Sequence, residues 1–229
     1  MEVRIMGESL RLKASDGFEL GAYRADPEGP AKGQIVVIQE IFGVNHYIRS
    51  VCDRLAEQGF IALAPAIFDR IQPGFESGYS EPERKQAMAF IPALDFNAAL
   101  RDIEAAVGVL RNDGTPAVIG FCLGGTLSFL AATRLDGLAA SVVFYGGLAK
   151  YADEKPRCPV QMHFGDQDRS IPMDDIETIK AKRPDCEIFV YPGAGHGFAC
   201  NERDSYDPKA TALAWERASA FLNDAFASG

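Results

Sequence analysis

The segment GFCLG at 120–124 places a cysteine between two glycines, in the form G-x-C-x-G. An apolar strand pattern precedes it and a helical pattern follows it, which is the context of a nucleophile elbow. A nucleophile on so sharp a turn has a strained backbone, and neighbouring side chains would collide with it, so glycines are needed beside it. The N-terminus of the following helix favours a thiolate. We therefore predict that Cys122 is a catalytic nucleophile rather than a packing residue.

A nucleophile of this kind needs a base and an acid, which follow it along the chain. His196 lies in a glycine-rich loop directly after the last predicted strand, where a base can turn inward over the strand ends. His163 lies inside a strand pattern and is predicted to be a core residue, whereas His46 begins the first long helix, at the surface or the pocket rim. The segment HFGDQDRSIP supplies the acid. Asp168 is preferred because G-x-x-D-x-x-I-P is the usual form of such a turn, and Asp166 is the alternative.

Short apolar segments alternate with helical patterns, which predicts one α/β domain over residues 1–229 with a mostly parallel central sheet and helices on both faces. The predicted strands are 34–39, 60–64, 117–121, 141–145, 160–164 and 187–191.

Two helices have clear boundaries in the sequence. Asp95 is a good N-cap for a helix whose apolar residues recur at i, i+3, i+4 and i+7 until Leu110. A last helix is predicted from about 207 to 226, with Trp215, Ala218 and Leu222 on its inner face. The segment 70–82 is rich in Pro, Gly and Ser, which indicates a loop or lid.

Composition and charge limit the possible partners. The net charge is −9, with 23 basic and 32 acidic residues, and this argues against binding to nucleic acid or to an anionic membrane. The first residues lack the pattern of a signal peptide, and the longest apolar run, 60–68, is too short to span a bilayer.

Cysteine usage indicates a reducing compartment. The five cysteines form an odd set without C-x-x-C or metal-ligand spacing, so we predict a cytoplasmic protein without a metal or cofactor. Cys52, Cys158 and Cys186 are expected to pack in the interior. Cys200 follows the histidine loop and is expected to be a loop residue with little pocket contact.

Four segments together make the chain resemble the dienelactone hydrolase family (carboxymethylenebutenolidases) of the α/β-hydrolase fold. They are QEIFGVN at 39–45, GFCLGG at 120–125, the acid turn at 165–172 and AGHGF at 194–198. The resemblance covers nearly the whole chain. It implies that Cys122 is the nucleophile, His196 the base and Asp168 the residue that orients the base.

The resemblance also implies roles for residues outside the triad. Glu40 would contact the resting thiol and keep it protonated until a substrate carboxylate displaces it. The N–H groups of Ile41 and Leu123 would form the oxyanion hole. Arg84 would bind the substrate carboxylate, and Tyr145 is a further candidate for substrate binding.

One position departs from the family pattern. Members that cleave dienelactone carry a second arginine four residues after the histidine, where this chain has Cys200, and Arg203 is the nearest basic residue. An arginine–carboxylate pair orients a substrate strongly, so its loss would redirect specificity.

Three functions follow as hypotheses. The first is hydrolysis of cyclic enol esters, dienelactone to maleylacetate, through a thioester acyl-enzyme. The second is a broader esterase or thioesterase, which Cys200 favours. The third is a redox sensor with Cys122 as an oxidisable switch, against which the acid–histidine pair argues. The expected partner is a small ester or lactone, in some cases carboxylate-bearing, and the expected state is a monomer or small homo-oligomer.

Overall fold

The structure is a computed structural model that describes residues 7–228. The chain divides into two compact units, of which the first ends at Ala117 and the second begins at Val118. The single domain expected from the sequence stays a prediction. Among the described residues, no helix has the length and apolarity needed to cross a membrane. The signal-peptide prediction concerns a segment whose first six residues lie outside the described part.

The described part of the first unit contains four strands in the spatial order β1-β2-β4-β3 and three α-helices. They are β1 (Glu8–Lys13), β2 (Glu19–Ala25), β3 (Gly33–Ile38), α1 (His46–Glu57), β4 (Phe60–Pro65), α2 (Glu81–Met88) and α3 (Phe96–Leu110). Strands β1 and β2, and likewise β2 and β4, run antiparallel, whereas β3 and β4 are parallel. Short 3₁₀ helices cover Ile67–Arg70 and Ile91–Ala93.

The second unit contains parallel strands in sequence order, β5-β6-β7-β8, with β5 beginning at the last residue of the first unit. Its elements are β5 (Ala117–Phe121), α4 (Leu123–Arg134), β6 (Ser141–Phe144), β7 (Val160–Gly165), α5 (Met173–Lys182), β8 (Glu187–Tyr191) and α6 (Pro208–Ala227), with a 3₁₀ helix at Ala149–Tyr151. Strands β5, β6 and β7 are buried throughout, while most of β8 is partly exposed. Because parallel strands end at the same edge of a sheet, the loops after β5, β7 and β8 are brought together.

All six predicted strands are confirmed, and none differs by more than one residue at either end. Both helix boundaries are confirmed as well. The Asp95 carboxylate accepts from the N–H of Asn97 at 2.8 Å, and Asp207 caps α6 by accepting from the N–H groups of its first turn. Ala218 and Leu222 are buried, and the Trp215 ring packs 5.4 Å from that of Phe144.

Two features differ from the prediction. The hairpin of β1 and β2 was not among the predicted strands. The segment 70–82 is not a loop throughout, because Arg70 ends a 3₁₀ helix and Pro82 lies in the first turn of α2, which leaves 71–80 between them. Ser80 and Glu83 form a capping box, and this explains why the helix begins inside a segment rich in Pro and Gly.

Candidate active site

Cys122 lies in a strained turn between β5 and α4. Its backbone has φ 55° and ψ −116°, a combination that residues other than glycine rarely adopt. The Cys122 N–H donates to the carbonyl of Phe144 at 3.0 Å, which holds the turn against β6. A Cβ on Gly120 would lie 1.9 Å from the Gly124 carbonyl oxygen, so only glycine fits there. The geometry is that of a nucleophile elbow, with the thiol at the N-terminus of α4.

Three side chains of the second unit form one hydrogen-bonded series. The Nε2 atom of His196 lies 3.1 Å from the Cys122 Sγ atom, and its Nδ1 atom lies 2.7 Å from Asp168 Oδ2. The other carboxylate oxygen of Asp168 accepts from the N–H groups of Ser170 at 2.7 Å and Ile171 at 3.2 Å. Hydrogen bonds from the main chain therefore fix one oxygen of the Asp168 carboxylate, and the other oxygen orients the His196 ring.

Hydrogen bonding determines how His196 is protonated. An ionised carboxylate only accepts, so Nδ1 of His196 carries a proton toward Asp168 and Nε2 faces the thiol. Burial opposes charge on the ring, but the Cys122 and Asp168 side chains outweigh it and raise the pKa of His196 to about 10. A protonated His196 can donate from Nε2, the nitrogen that lies 3.1 Å from the Cys122 Sγ atom.

The two aspartates of the acid turn differ in burial and in hydrogen-bond partner. Asp168 has a nearly buried side chain and contacts His196. Asp166 is partly exposed and instead accepts from the N–H of Gly193 at 2.7 Å.

The other two histidines lie where they were predicted. His163 is fully buried, with its ring nitrogens 2.8 Å from the Tyr191 hydroxyl and 2.9 Å from Gln161 Oε1, so it is a core residue with satisfied polar atoms. His46 is exposed as the first residue of α1.

Tyr145 lies beside the histidine of the series. It is fully buried, has a φ of 39°, and its ring centroid is 5.3 Å from that of His196 in an edge-to-face arrangement. The Tyr145 N–H donates to the carbonyl of His163 at 2.8 Å, which fixes this backbone beyond the end of β6.

In the first unit, Glu40 is completely buried and accepts a hydrogen bond from the Tyr79 hydroxyl at 3.0 Å. The side-chain amide of Asn45 donates in turn to the Tyr79 oxygen at 3.1 Å. Ile41 is also buried, whereas Arg84 is exposed on α2. Tyr79 was not predicted from the sequence, because it lies 39 residues from Glu40 in a segment without periodicity.

The loop after His196 folds back on the histidine. The Ser205 hydroxyl donates to the His196 carbonyl at 2.7 Å. The Arg203 guanidinium lies so close to Gly197 that a Cβ there would be 2.4 Å from its Nη1 atom. Arg203 thus lies next to the histidine loop, while Cys200 is fully buried.

The other cysteines divide by burial. Cys52 is fully buried, as predicted, whereas Cys158 and Cys186 are only partly so. Burial raises the pKa of Cys158 to about 11, and burial with the neighbouring Asp185 charge raises that of Cys186 to about 12. These thiols lack the activation that a nucleophile needs.

Comparison with protein families identifies the family of the chain. The model of the dienelactone hydrolase family matches residues 20–226. The chain belongs to the dienelactone hydrolase family.

Dienelactone hydrolase relatives align along almost their full length. The chain is 37% identical over 227 residues to a provisionally named carboxymethylenebutenolidase of Synechocystis sp., covering 89% of this chain and 91% of the relative. It is 33% identical over 229 residues to the carboxymethylenebutenolidase of Pseudomonas putida, covering 95% and 97%. The crystal structure of a provisionally named dienelactone hydrolase from Klebsiella pneumoniae superposes with a TM-score of 0.82 at 29% identity, covering 97% of this chain and 99% of that one.

Membership of the dienelactone hydrolase family confirms the α/β-hydrolase fold expected from the sequence. It also shows that the protein is a carboxylic ester hydrolase, which acts on esters or lactones.

Proposed function

We propose that the protein hydrolyses cyclic enol esters of the dienelactone type to open-chain products of the maleylacetate type. Cys122 is the nucleophile, His196 the general base and acid, and Asp168 the residue that orients His196. The observation that supports this proposal most is the unbroken hydrogen-bonded series from Sγ of Cys122 through His196 to Asp168. The relative from Pseudomonas putida is named for the same reaction.

The first half of the reaction forms a thioester. The Cys122 thiolate attacks the lactone carbonyl carbon, and the carbonyl π electrons move to the oxygen to give a tetrahedral oxyanion. When the oxyanion collapses, the ring C–O bond breaks and the enolate oxygen leaves while remaining attached to the acyl chain. The imidazolium of His196 supplies the proton that this leaving group takes up.

The second half regenerates the enzyme. Neutral His196 removes a proton from water as the water oxygen attacks the thioester carbon. The second tetrahedral intermediate expels the Cys122 thiolate, and the carboxylic acid product loses its proton to solvent. Asp168 keeps the Nδ1–H tautomer of His196 through both halves, so that Nε2 faces the reacting atoms.

The thiol suits this substrate class for a chemical reason. A thiolate attacks well near neutral pH, and an enol ester is already activated because its leaving group is a stabilised enolate. The roles that the resemblance gives to Glu40, Ile41, Leu123 and Arg84 belong to the same proposal, as do the contributions of Tyr145 and Arg203 to substrate binding.

A broader esterase or thioesterase activity is the second candidate. The observation that favours it is Cys200, which stands where dienelactone-cleaving members have a second carboxylate-binding arginine and is fully buried here. An enzyme with fewer carboxylate contacts would accept neutral esters better.

We further propose that the protein works in the cytoplasm, as a monomer or small homo-oligomer, on small molecules rather than on nucleic acids or membranes. The odd set of cysteines and the net charge of −9 support these points.

A substrate panel tests the proposal. Lactones and aryl esters with and without a carboxylate are compared for wild type and Cys122→Ala, with Cys52→Ala as the matched control. We expect carboxylate-bearing lactones to give the highest kcat/KM and Cys122→Ala to lose turnover on every substrate. Full turnover by Cys122→Ala would refute the thiol mechanism, and oxidation of Cys122 without any turnover by wild type would favour the sensor.

A further inference from the structure

We propose that Asp166 is a positioning residue for the base, holding the main chain of the His196 loop at the distance that Asp168 requires. The inference rests on the proposed function, because His196 must act as the base. Asp166 therefore has a role different from that of Asp168, although both carboxylates belong to the turn after β7. Asp166 positions the main chain of the histidine loop, and Asp168 orients the His196 ring.

Hydrogen bonds join the acid turn to the histidine loop. The carboxylate of Asp166 accepts from the N–H of Gly193 at 2.7 Å. In the main chain, the Asp166 N–H donates to the Tyr191 carbonyl at 3.2 Å, and the Gln167 N–H donates to the Ala194 carbonyl at 2.9 Å. Of these three hydrogen bonds, only the one to the Asp166 carboxylate involves a side chain. It binds the loop at Gly193, three residues before His196.

Close packing makes the position of this loop matter. A Cβ on Gly165 would lie 2.2 Å from the carbonyl oxygen of Ala194, so the two main chains approach as closely as glycine allows. Gly193 has a φ of 80°, a conformation that glycine adopts without strain. A loop that lost its anchor at Gly193 would carry the His196 ring away from Asp168 and Cys122, because only Ala194 and Gly195 lie between.

The chemistry of the contact predicts which substitutions matter. An N–H donor bound to a carboxylate is a charge-assisted hydrogen bond, stronger than one between neutral groups. Asparagine keeps an oxygen acceptor at the same distance from the backbone, whereas alanine removes it. Asp166 is partly exposed, so its replacement leaves no charged group buried without a partner.

The experiment compares Asp166→Ala, Asp166→Asn and a control, Asp136→Asn. Asp136 is an exposed aspartate of the same unit, paired with Arg157 at 2.8 Å. Two quantities are measured for each: kcat and KM with p-nitrophenyl acetate, and the thiolate absorbance at 240 nm against pH, from which the signal of the matching Cys122→Ala form is subtracted. The second quantity needs no substrate.

We expect Asp166→Ala to lower kcat about tenfold with KM within about twofold, since a small displacement of a catalytic group costs rate more than binding. We expect its thiolate to form at higher pH, because a displaced imidazolium stabilises the thiolate less. Asp166→Asn should remain within about threefold of wild type, as a neutral acceptor keeps part of the bond. Should Asp166→Ala not fold, Asp166→Ser replaces it with the same expectations.

Wild-type kcat and thiolate titration in Asp166→Ala would overturn the inference, even if its melting temperature fell, because a purely structural contact would behave in this way. Equal losses of kcat in Asp166→Ala and in the control Asp136→Asn would also overturn it, since loss of any surface carboxylate would then have the same effect. If wild type is inactive, the proposed function fails instead, and the thiolate titration still decides whether Asp166 positions His196.

Discussion

Replacing His163 by glutamine should remove much of the acid sensitivity of the fold. The imidazole is buried between the rings of Phe144, at 4.6 Å, and Phe189, at 5.7 Å. The side-chain amide of Gln161 donates to Glu187 at 2.8 Å, so its oxygen accepts from Nε2–H of His163. The Nδ1 atom then accepts from the Tyr191 hydroxyl, and the neutral ring has both nitrogens satisfied.

The size of the effect follows from the pKa. Burial, assisted by the charge of Arg217, lowers the pKa of His163 from 6.5 to about 3. Below pH 6.5 His163 is protonated in the unfolded chain but stays neutral in the folded protein. The free energy of unfolding therefore decreases as the pH falls from 6.5 toward 3. Two pH units, from 6.5 to 4.5, amount to about 2.7 kcal/mol at ~1.36 kcal/mol per unit.

Urea unfolding of wild type and His163→Gln at pH 7.5 and pH 4.5 measures this difference. At pH 7.5 the variant should be less stable by about 1–3 kcal/mol, because the Tyr191 hydroxyl loses its acceptor. At pH 4.5 the difference in unfolding free energy should disappear or change sign, since only wild type is destabilised by protonation of the unfolded histidine. His46→Gln, which replaces an exposed histidine, is the control and should follow wild type. If wild type and His163→Gln lose stability in parallel between the two pH values, the reasoning about the buried imidazole is wrong.

Three further outcomes are expected. Gly120→Ala should give little soluble protein, because its Cβ would lie 1.9 Å from the Gly124 carbonyl oxygen; soluble yield comparable to wild type would contradict the tight elbow. Asp168→Asn should lower kcat about 10³- to 10⁴-fold through the wrong histidine tautomer while the protein remains folded, as steady-state kinetics and circular dichroism would show, and a change below tenfold would exclude the orienting role. Arg84→Ala should raise KM for carboxylate-bearing lactones and leave neutral esters unchanged, whereas equal losses on both classes would make Arg84 structural.

The parts of the fold that could be predicted are those with a local signal. Strands β5 and β8 are apolar runs bounded by polar or glycine residues, and the structure has them at the predicted bounds. The hairpin of β1 and β2 also had a signal, since Leu10, Leu12 and Leu20 alternate with polar residues around Asp16-Gly17, a common hairpin turn. Its strands are partly exposed, so their pattern is weaker than that of the buried parallel strands.

The candidate site could be predicted where residue type and chain order restrict the choice. With three histidines in the chain, only His196 follows a strand in a glycine-rich loop. The contacts that support the site could not be found in this way. Asp166 and Gly193 are 27 residues apart, and the two residues of the Tyr79–Glu40 pair are 39 apart. Such contacts depend on how irregular loops fold against one another, for which hydrophobic periodicity gives no signal.

The central claim is that Cys122 carries the acyl group between the two halves of the reaction. Rapid acid quench during turnover of a slowly hydrolysed ester, followed by intact-mass and peptide mass spectrometry, measures this directly. We predict a mass increase equal to one acyl group, located on the peptide that contains Cys122 and removed by hydroxylamine, as a thioester requires. An acyl group on any other residue, or full turnover by Cys122→Ala, would contradict the account.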